Sequence, residues 1–378
     1  MKVTSLLCND TEELREKLTR VSAEGYNPTL AIVFSSINQD IAAIQAIFSH
    51  YEIDLLGCTT AGEIVDDGLY EESIAVLLFD INKDYFRVIQ KPYEYPDVEK
   101  VASEIGKESK ELFDKPGLIV LTSGLAINAE KMISGFRKAL QGNVPIYGGL
   151  AGDDLRMHET YVFSAKDLSK KGICSLIIDT EKISINGLAT SGWEAVGIEN
   201  TVTEAQGNKV LGINGEKAFT VFSRYFGFSL DGDSDQDKLI TLQTNYPFQF
   251  IREEGYKVLR SPLLVDIDEG SITIAGSVKK GDKFKFSYSP GFEVIEKTIN
   301  EFGSFKNKIE EADGIILFSC KGRHGAFGPL LEKEIKGIHH FWKKPLIGFL
   351  SYGEIGDLGN GICEFHNETC SLVILKEK

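Results

Sequence analysis

Apolar runs in this 378-residue chain stay well short of the roughly 20 residues that cross a bilayer as a helix. The opening stretch "MKVTSLLCND" is too short in apolar residues for a secretory leader, so a cytoplasmic protein without membrane attachment is expected. Cysteine is sparse. Cys8, Cys58, Cys174, Cys320, Cys363 and Cys370 form no C-x-x-C pair and are too few for a disulfide framework, so they read as reduced and buried. Proline numbers 10 against 37 glycines, and the absence of low-complexity tracts excludes extensive disorder. Positive charge is also short, at 41 Lys and Arg against 56 Asp and Glu, a formal net charge of −15 spread along the length. The small basic spots at Lys279-Lys280, Lys321 with Arg323, and Lys343-Lys344 do not make a phosphate-binding groove, which excludes nucleic acid as a partner.

Familiar catalytic signatures are missing too. No G-x-G-x-x-G follows a strand, and there is no Walker A sequence, H-E-x-x-H or G-x-S-x-G. Cys58 and Cys320 sit at strand ends, but a nucleophile needs a base and oxyanion donors in reach, and the sequence supplies no sign of that geometry. A calcium loop begun at Asp231 in the acidic stretch "LDGDSDQDKLI" would have Gln236 and Leu242 where it needs glycine and an acid, so the stretch reads as a solvated loop. Cys363, His366 and Cys370 have soft-ligand identity, but a structural zinc wants four ligands, and on one continuous strand the two thiols would face opposite sides.

What the chain does contain is one pattern three times. "LAIVFSS" (Leu30 to Ser36) is followed by a helical window to about His50, by "LLGCTTAGE" (Leu55 to Glu63) and by "SIAVLLFDI". "LIVLTSG" (Leu118 to Gly124) precedes a helix from about Asn128 to Leu140, then "IYGGLAGDD" (Ile146 to Asp154) and "ICSLIIDT". "GIILFSC" (Gly314 to Cys320) precedes a helix from about Leu330 to Trp342, then "LIGFLSYGE" and "CSLVILKE". Two apolar strands bracketing a helix form a parallel crossover, which gathers the polar strand ends on one rim where open α/β sheets bind ligands. Gly followed by an acid is also an ordinary way to turn a chain. Between the second and third copies, "ISINGLATSGWEAVG" and "VTEAQGNKVLGINGEKA" read as strands, "EKAFTVFSRYFGFS" as an amphipathic helix, and "YKVLRSPLLVDIDEGSITIAGSVKKGDKFKFSYS" as antiparallel strands with turns at Glu269-Gly270 and Lys280-Gly281. The expected fold is α/β and two-lobed, a strand-helix-strand sandwich of related units plus an antiparallel strand region.

Histidine is scarce enough to take singly. His50 ends a helix, His158 lies in a polar loop, and His339 with His340 occupies a helix C-terminus, where a cation suits the dipole. His324 lies in "FSCKGRHGAFGP", read as a loop with Gly322, Gly325 and Gly328 beside it. A neutral imidazole there suits an axial haem ligand with Arg323 or Lys321 on a propionate, but the residues by themselves favour a loop histidine bonded to backbone.

"LLGCTTAGEI", "PIYGGLAGDD" followed by "TYVF", "GWEAVG" with "VTEAQGNKV", "ILFSCKGRH", "PLIGFLSYGEIG" and "FHNET" together resemble the successive signature segments of FIST domain proteins. The resemblance spans nearly the whole chain, with an amino-terminal FIST part over 1–220 and a carboxyl-terminal part over 221–378. It implies a sensory ligand-binding module of bacterial signal transduction, not an enzyme, and at this length a stand-alone sensor acting on a separate partner. One stand-alone branch binds haem, senses nitric oxide and regulates a histidine kinase or a cyclic-di-GMP enzyme in trans. The alternative it implies is an amino-acid or small-metabolite sensor without haem, and a cysteine-dependent enzyme is a third reading. A homodimer is compatible with either sensor. Carried over residue by residue, the resemblance implies ligand positions at Cys58, Thr59, Gly62, Glu63, Gly149, Asp153, Cys320, Arg323, Tyr352, Gly353, Glu354 and Asn367. His324 is implied as the iron ligand, with His366 as a second cofactor candidate. Without haem, Glu354 or Asp153 would take a ligand ammonium and Arg323 a carboxylate.

Overall fold

The strands Leu30–Ser35, Pro116–Thr122 and Gly314–Cys320 are buried at every residue, which is why they read as unbroken apolar runs rather than alternating ones. Side chains still alternate in direction. Ile32 and Phe34 of the first strand enter a central core while Ala31 and Val33 enter an outer one, and Ile119 with Leu121, then Ile316 with Phe318, repeat the division. In the computed structural model, which describes residues 1–94, 96–125, 127–227, 245–252, 255–289 and 291–378, the chain is a mixed α/β protein of several sheets. The acidic stretch at 230–240 lies outside the described residues.

All three expected crossovers form. Leu30–Ser35 pairs in parallel with Asp54–Thr59, Pro116–Thr122 with Ile146–Leu150, and Gly314–Cys320 with Leu346–Ser351. Helices Ile41–His50, Ala129–Leu140 and Leu331–Trp342 return the chain, the first two capped by Asp40 and Asn128, whose side chains accept from Ala43 and Lys131 N–H. Each closing strand (Ile74–Asp80, Gly172–Asp179, Cys370–Glu377) lies antiparallel beside the first strand of its own unit. Outside it runs one more antiparallel strand: Lys2–Cys8, Phe86–Pro92 and Ile183–Thr190. The close fit of the parallel pairs explains two glycines: a Cβ at Gly148 would lie 1.9 Å from Val120 O, and one at Gly348 would lie 2.2 Å from Leu317 O.

After its second parallel strand each unit hands the chain to a neighbouring sheet. Glu63–Val65 pairs with Leu346–Ser351 of the third unit, Val162–Ser164 with Asp54–Thr59 of the first, and Glu354–Asp357 with Ile146–Leu150 of the second. The exchange is cyclic, so the three six-stranded sheets form a closed ring with approximate threefold repetition. Reciprocal backbone bonds tie the crossing points: Ala61 N to Leu350 O and Leu350 N to Gly62 O, Tyr352 N to Leu150 O and Leu150 N to Gly353 O, Gly152 N to Thr59 O and Thr59 N to Tyr161 O. Residues of all three sheets fill the central core, where the Phe34 and Phe349 rings lie 4.6 Å apart and Phe318 and Phe349 5.7 Å apart.

The third unit carries an insertion. Between Ile183–Thr190 and helix Glu293–Lys306 it holds an antiparallel sheet of eight strands and helix Ala218–Phe226, around a phenylalanine-rich core of Phe222, Phe248, Phe250, Phe284 and Phe286. The first two units make the same step in short links, from Cys8 to Thr11 and from Pro92 to Val98.

Candidate functional site

The glycine-acid turns sit where the chain changes sheets, and their acids are interior. Glu63 accepts hydrogen bonds from the Thr60 hydroxyl, from Ser73 N–H at 3.0 Å and from Ser73 Oγ at 2.8 Å. Glu354 repeats the arrangement: Ser351 Oγ donates at 2.5 Å, Thr369 Oγ1 at 2.7 Å and Thr369 N–H at 3.3 Å. Each carboxyl thus locks its exchanged strand to the start of its own closing strand. Both are fully buried, and burial pushes Glu63 up to about 7 and Glu354 up to about 8. Glu368, buried next to Thr369, is pushed up to about 7 for the same reason and accepts from Ser261 Oγ at 2.7 Å.

The other positions named from sequence fall into separate interior sets. Asp153, fully buried, accepts from Met157, His158 and Glu159 N–H at 3.1, 2.7 and 3.1 Å and from Tyr352 OH at 2.5 Å, holding the loop after Gly152. Gly149 is the cross-strand partner of Glu354. Thr59 Oγ1 accepts from Tyr161 N–H at 2.9 Å, Gly62 packs on Leu350, and Gly353 packs on the Phe365 ring. Asn367 is buried with its Oδ1 unpaired. Arg323, fully buried, pairs with Glu334, donates to Ser191 O, and lies over the rings of Trp193 and Phe327. Its charge is therefore met from within the protein, not held open for a ligand carboxylate. Cys58 and Cys320 are buried thiols pushed well above their ordinary range by loss of solvent, the opposite of an activated nucleophile.

His324 lies in the short helix Lys321–Phe327 rather than in a loop; Gly322 and Gly325 do not prevent about two turns from continuing directly off strand Gly314–Cys320, and Gly328 caps their end. It is half-buried, with Nδ1 3.2 Å from Lys321 Nζ, and its burial and that ammonium push its pKa down. His366 is interior, its Nε2 3.3 Å from Gly356 O, and burial beside Arg260 pushes it down to about 3. A haem needs a flat apolar slot against its histidine. His366 is enclosed by strands and leaves no face for a haem, whereas His324 stays partly exposed, with Lys321 on its Nδ1 and Glu71 as its other charged neighbour. Cys363 and Cys370 lie on different strands, Cys363–His366 and Cys370–Glu377, and among the described residues no group of three or more His, Cys, Asp or Glu is placed to hold a metal ion.

An open cleft lies elsewhere, where sequence reasoning did not look. A space of about 400 Å³ separates helix Ala129–Leu140 from the inserted region. Glu130, Ile133, Ser134, Arg137 and Lys138 line it from the helix, Arg252, Ser277, Val278, Lys279 and Asp282 from the insertion, and Glu364 from the exchanged strand. Beneath it runs a latch between the two parts. Glu130 accepts from Arg260 at 2.6 Å, Arg252 at 3.0 Å and Ser277 N–H at 2.7 Å, and Tyr256 OH donates to Glu364 at 2.9 Å. Arg260 is fully buried; its path to Glu130 passes Gly276, where a Cβ would lie 2.4 Å from its Nε. Burial alone would raise the Glu130 carboxyl, but Arg260 and the Ser277 N–H outweigh it and hold it down at about 2. No motif marks these residues, because they come together only through the fold.

Among the described residues, then, the polar positions named from sequence are interior locks and buried thiols, and an open charged cleft lies between helix Ala129–Leu140 and the inserted region. The sequence matches the FIST N domain over residues 29–216 and the FIST C domain over residues 218–357. The chain belongs to the FIST family, whose domains are sensory, not catalytic, modules of signal transduction. The two matched segments meet at the start of helix Ala218–Phe226, inside the insertion. No curated protein matches the chain.

Proposed function

We propose that this FIST protein senses a small charged metabolite held in the cleft between helix Ala129–Leu140 and the inserted region. The observation that carries the reading is the cleft itself: about 400 Å³, lined by charged side chains from both parts and set over the Glu130–Arg260 latch. That volume suits a small metabolite, and junctions between substructures are where such sites commonly form. A ligand touching both parts would favour one relative arrangement over others, which is the differential contact a sensor needs. A separate partner then reads that arrangement; the family resemblance favours a histidine kinase or a cyclic-di-GMP enzyme in that role.

The test is a thermal-shift screen of the full chain against amino acids, organic acids, amines and sugars, with a hemin titration in parallel. At least one metabolite should raise the melting temperature saturably, and Arg137→Ala should reduce that shift. A one-to-one hemin complex with a sharp Soret band that disappears in His324→Ala, with no metabolite shift, would overturn the reading and restore a haem sensor.

A further inference from the structure

The chain as a whole is strongly acidic, at 41 basic against 56 acidic residues, yet the cleft gathers Arg137, Lys138, Arg252 and Lys279 against Glu130, Asp282 and Glu364. The acids are largely committed. Glu130 spends both oxygens on Arg260, Arg252 and Ser277 N–H. Glu364 accepts from Tyr256 OH and lies 3.5 Å from Arg137, and Asp282 accepts from Lys279 N–H at 2.9 Å.

The cations are not committed to the same degree. Arg137 is tethered through Nη2 to Cys363 O, and Arg252 through Nη2 to Glu130; each guanidinium carries further donors in a fixed fork. Lys138 pairs with Glu99, and the Lys279 ammonium has no partner among the described residues. Arg260 adds a further positive charge behind the Glu130 carboxylate, withdrawn from water. A cleft of this make-up repels ammonium and attracts oxyanions, above all where two guanidinium forks approach one space.

We infer that the ligand of this cleft is a small organic anion whose carboxylate or phosphate group is held between Arg137 on the helix and Arg252 and Lys279 on the insertion. The inference rests on the cleft being the sensory site and specifies its chemistry. Because the donors come from both parts, the anion draws them together and adds to the tie that Glu130 makes across the same interface.

The experiment is isothermal titration of the full chain at constant ionic strength with three probes: succinate, inorganic phosphate and 1,4-diaminobutane. Each is repeated on Lys279→Glu, an exposed change that leaves the latch intact, on Arg137→Met and on Glu364→Gln. Saturable binding of succinate or phosphate, weakened about tenfold or more by Lys279→Glu and by Arg137→Met, is expected. Succinate alone assigns the site to carboxylates, and phosphate alone assigns it to phosphate groups. Binding of diaminobutane that Glu364→Gln weakens would overturn the anion assignment while leaving the cleft as the site. Anion binding that none of the three variants changes would overturn the cleft as well.

Discussion

At the scale of the residue, the acids of the two Gly-Glu turns are the most informative side chains. Glu63 and Glu354 each meet a Ser or Thr three residues earlier and a Ser or Thr just before the closing strand, so one local design is used twice. Their chemistry gives a pH dependence with a definite sign. Glu354 is held at about 8 in the folded chain against 4.5 for an ordinary glutamate. Between those values the folded state keeps a proton that the unfolded state has lost, so stability is full at the acid end and falls as pH rises through about 8. Glu354→Gln should therefore match the wild type near pH 5 and exceed it near pH 9 in urea-unfolding midpoints, and equal slopes for both proteins would refute the raised value. The Gly-Glu pattern itself was legible in sequence as a repeated rim feature. Its direction was not, because a turn into solvent and a turn into the next sheet use the same residues.

At the scale of the element, crossovers and helices were legible and the exchanged strands were not. Ile32, Phe34, Ala31 and Val33 announce a doubly buried strand wherever they fall, and the Asp40 and Asn128 caps mark helix starts to within a residue or two. Glu63–Val65 spans only three residues, and its register is set by Ile347 and Phe349, far along the chain. No local propensity records such a pairing. The short helix holding His324 is likewise fixed by a distant tie, because Arg323 reaches Glu334 on the next helix and Ser191 O at the entrance to the insertion. Breaking a buried pair from one side leaves an uncompensated charge, at a cost of about 3–5 kcal/mol. Arg323→Ala should lower stability by that order, and Arg323→Met with Glu334→Leu should cost less than the two single changes summed. Strict additivity in the denaturation cycle would show that the two side chains do not interact.

At the scale of the whole molecule, three units exchange strands around a closed ring, and the inserted antiparallel region interrupts only the third. The corresponding steps in the first and second units are short links after Cys8 and Pro92, so the ring has no topological need of the insertion. Among the described residues, polar contacts recur between the two: Glu130 with Arg260 and Ser277, Glu364 with Tyr256, Glu368 with Ser261, and Arg260 with Phe365 O. Interfaces of that kind allow relative movement more readily than a large apolar one. Trp193 and Leu259 add apolar contact, buried in the outer core of the third unit. Replacing residues 194–291 by a short glycine-serine link should therefore leave a ring that keeps its far-UV circular dichroism and melts cooperatively, at a lower temperature because Leu259 is gone from the core and Glu130 has lost Arg260. It should also lose all response to succinate and phosphate, since Arg252 and Lys279 leave with the insertion. A shortened chain without a cooperative melt would make the insertion part of the ring's own folding unit, and the part of the sensor that moves would have to be sought within the three sheets.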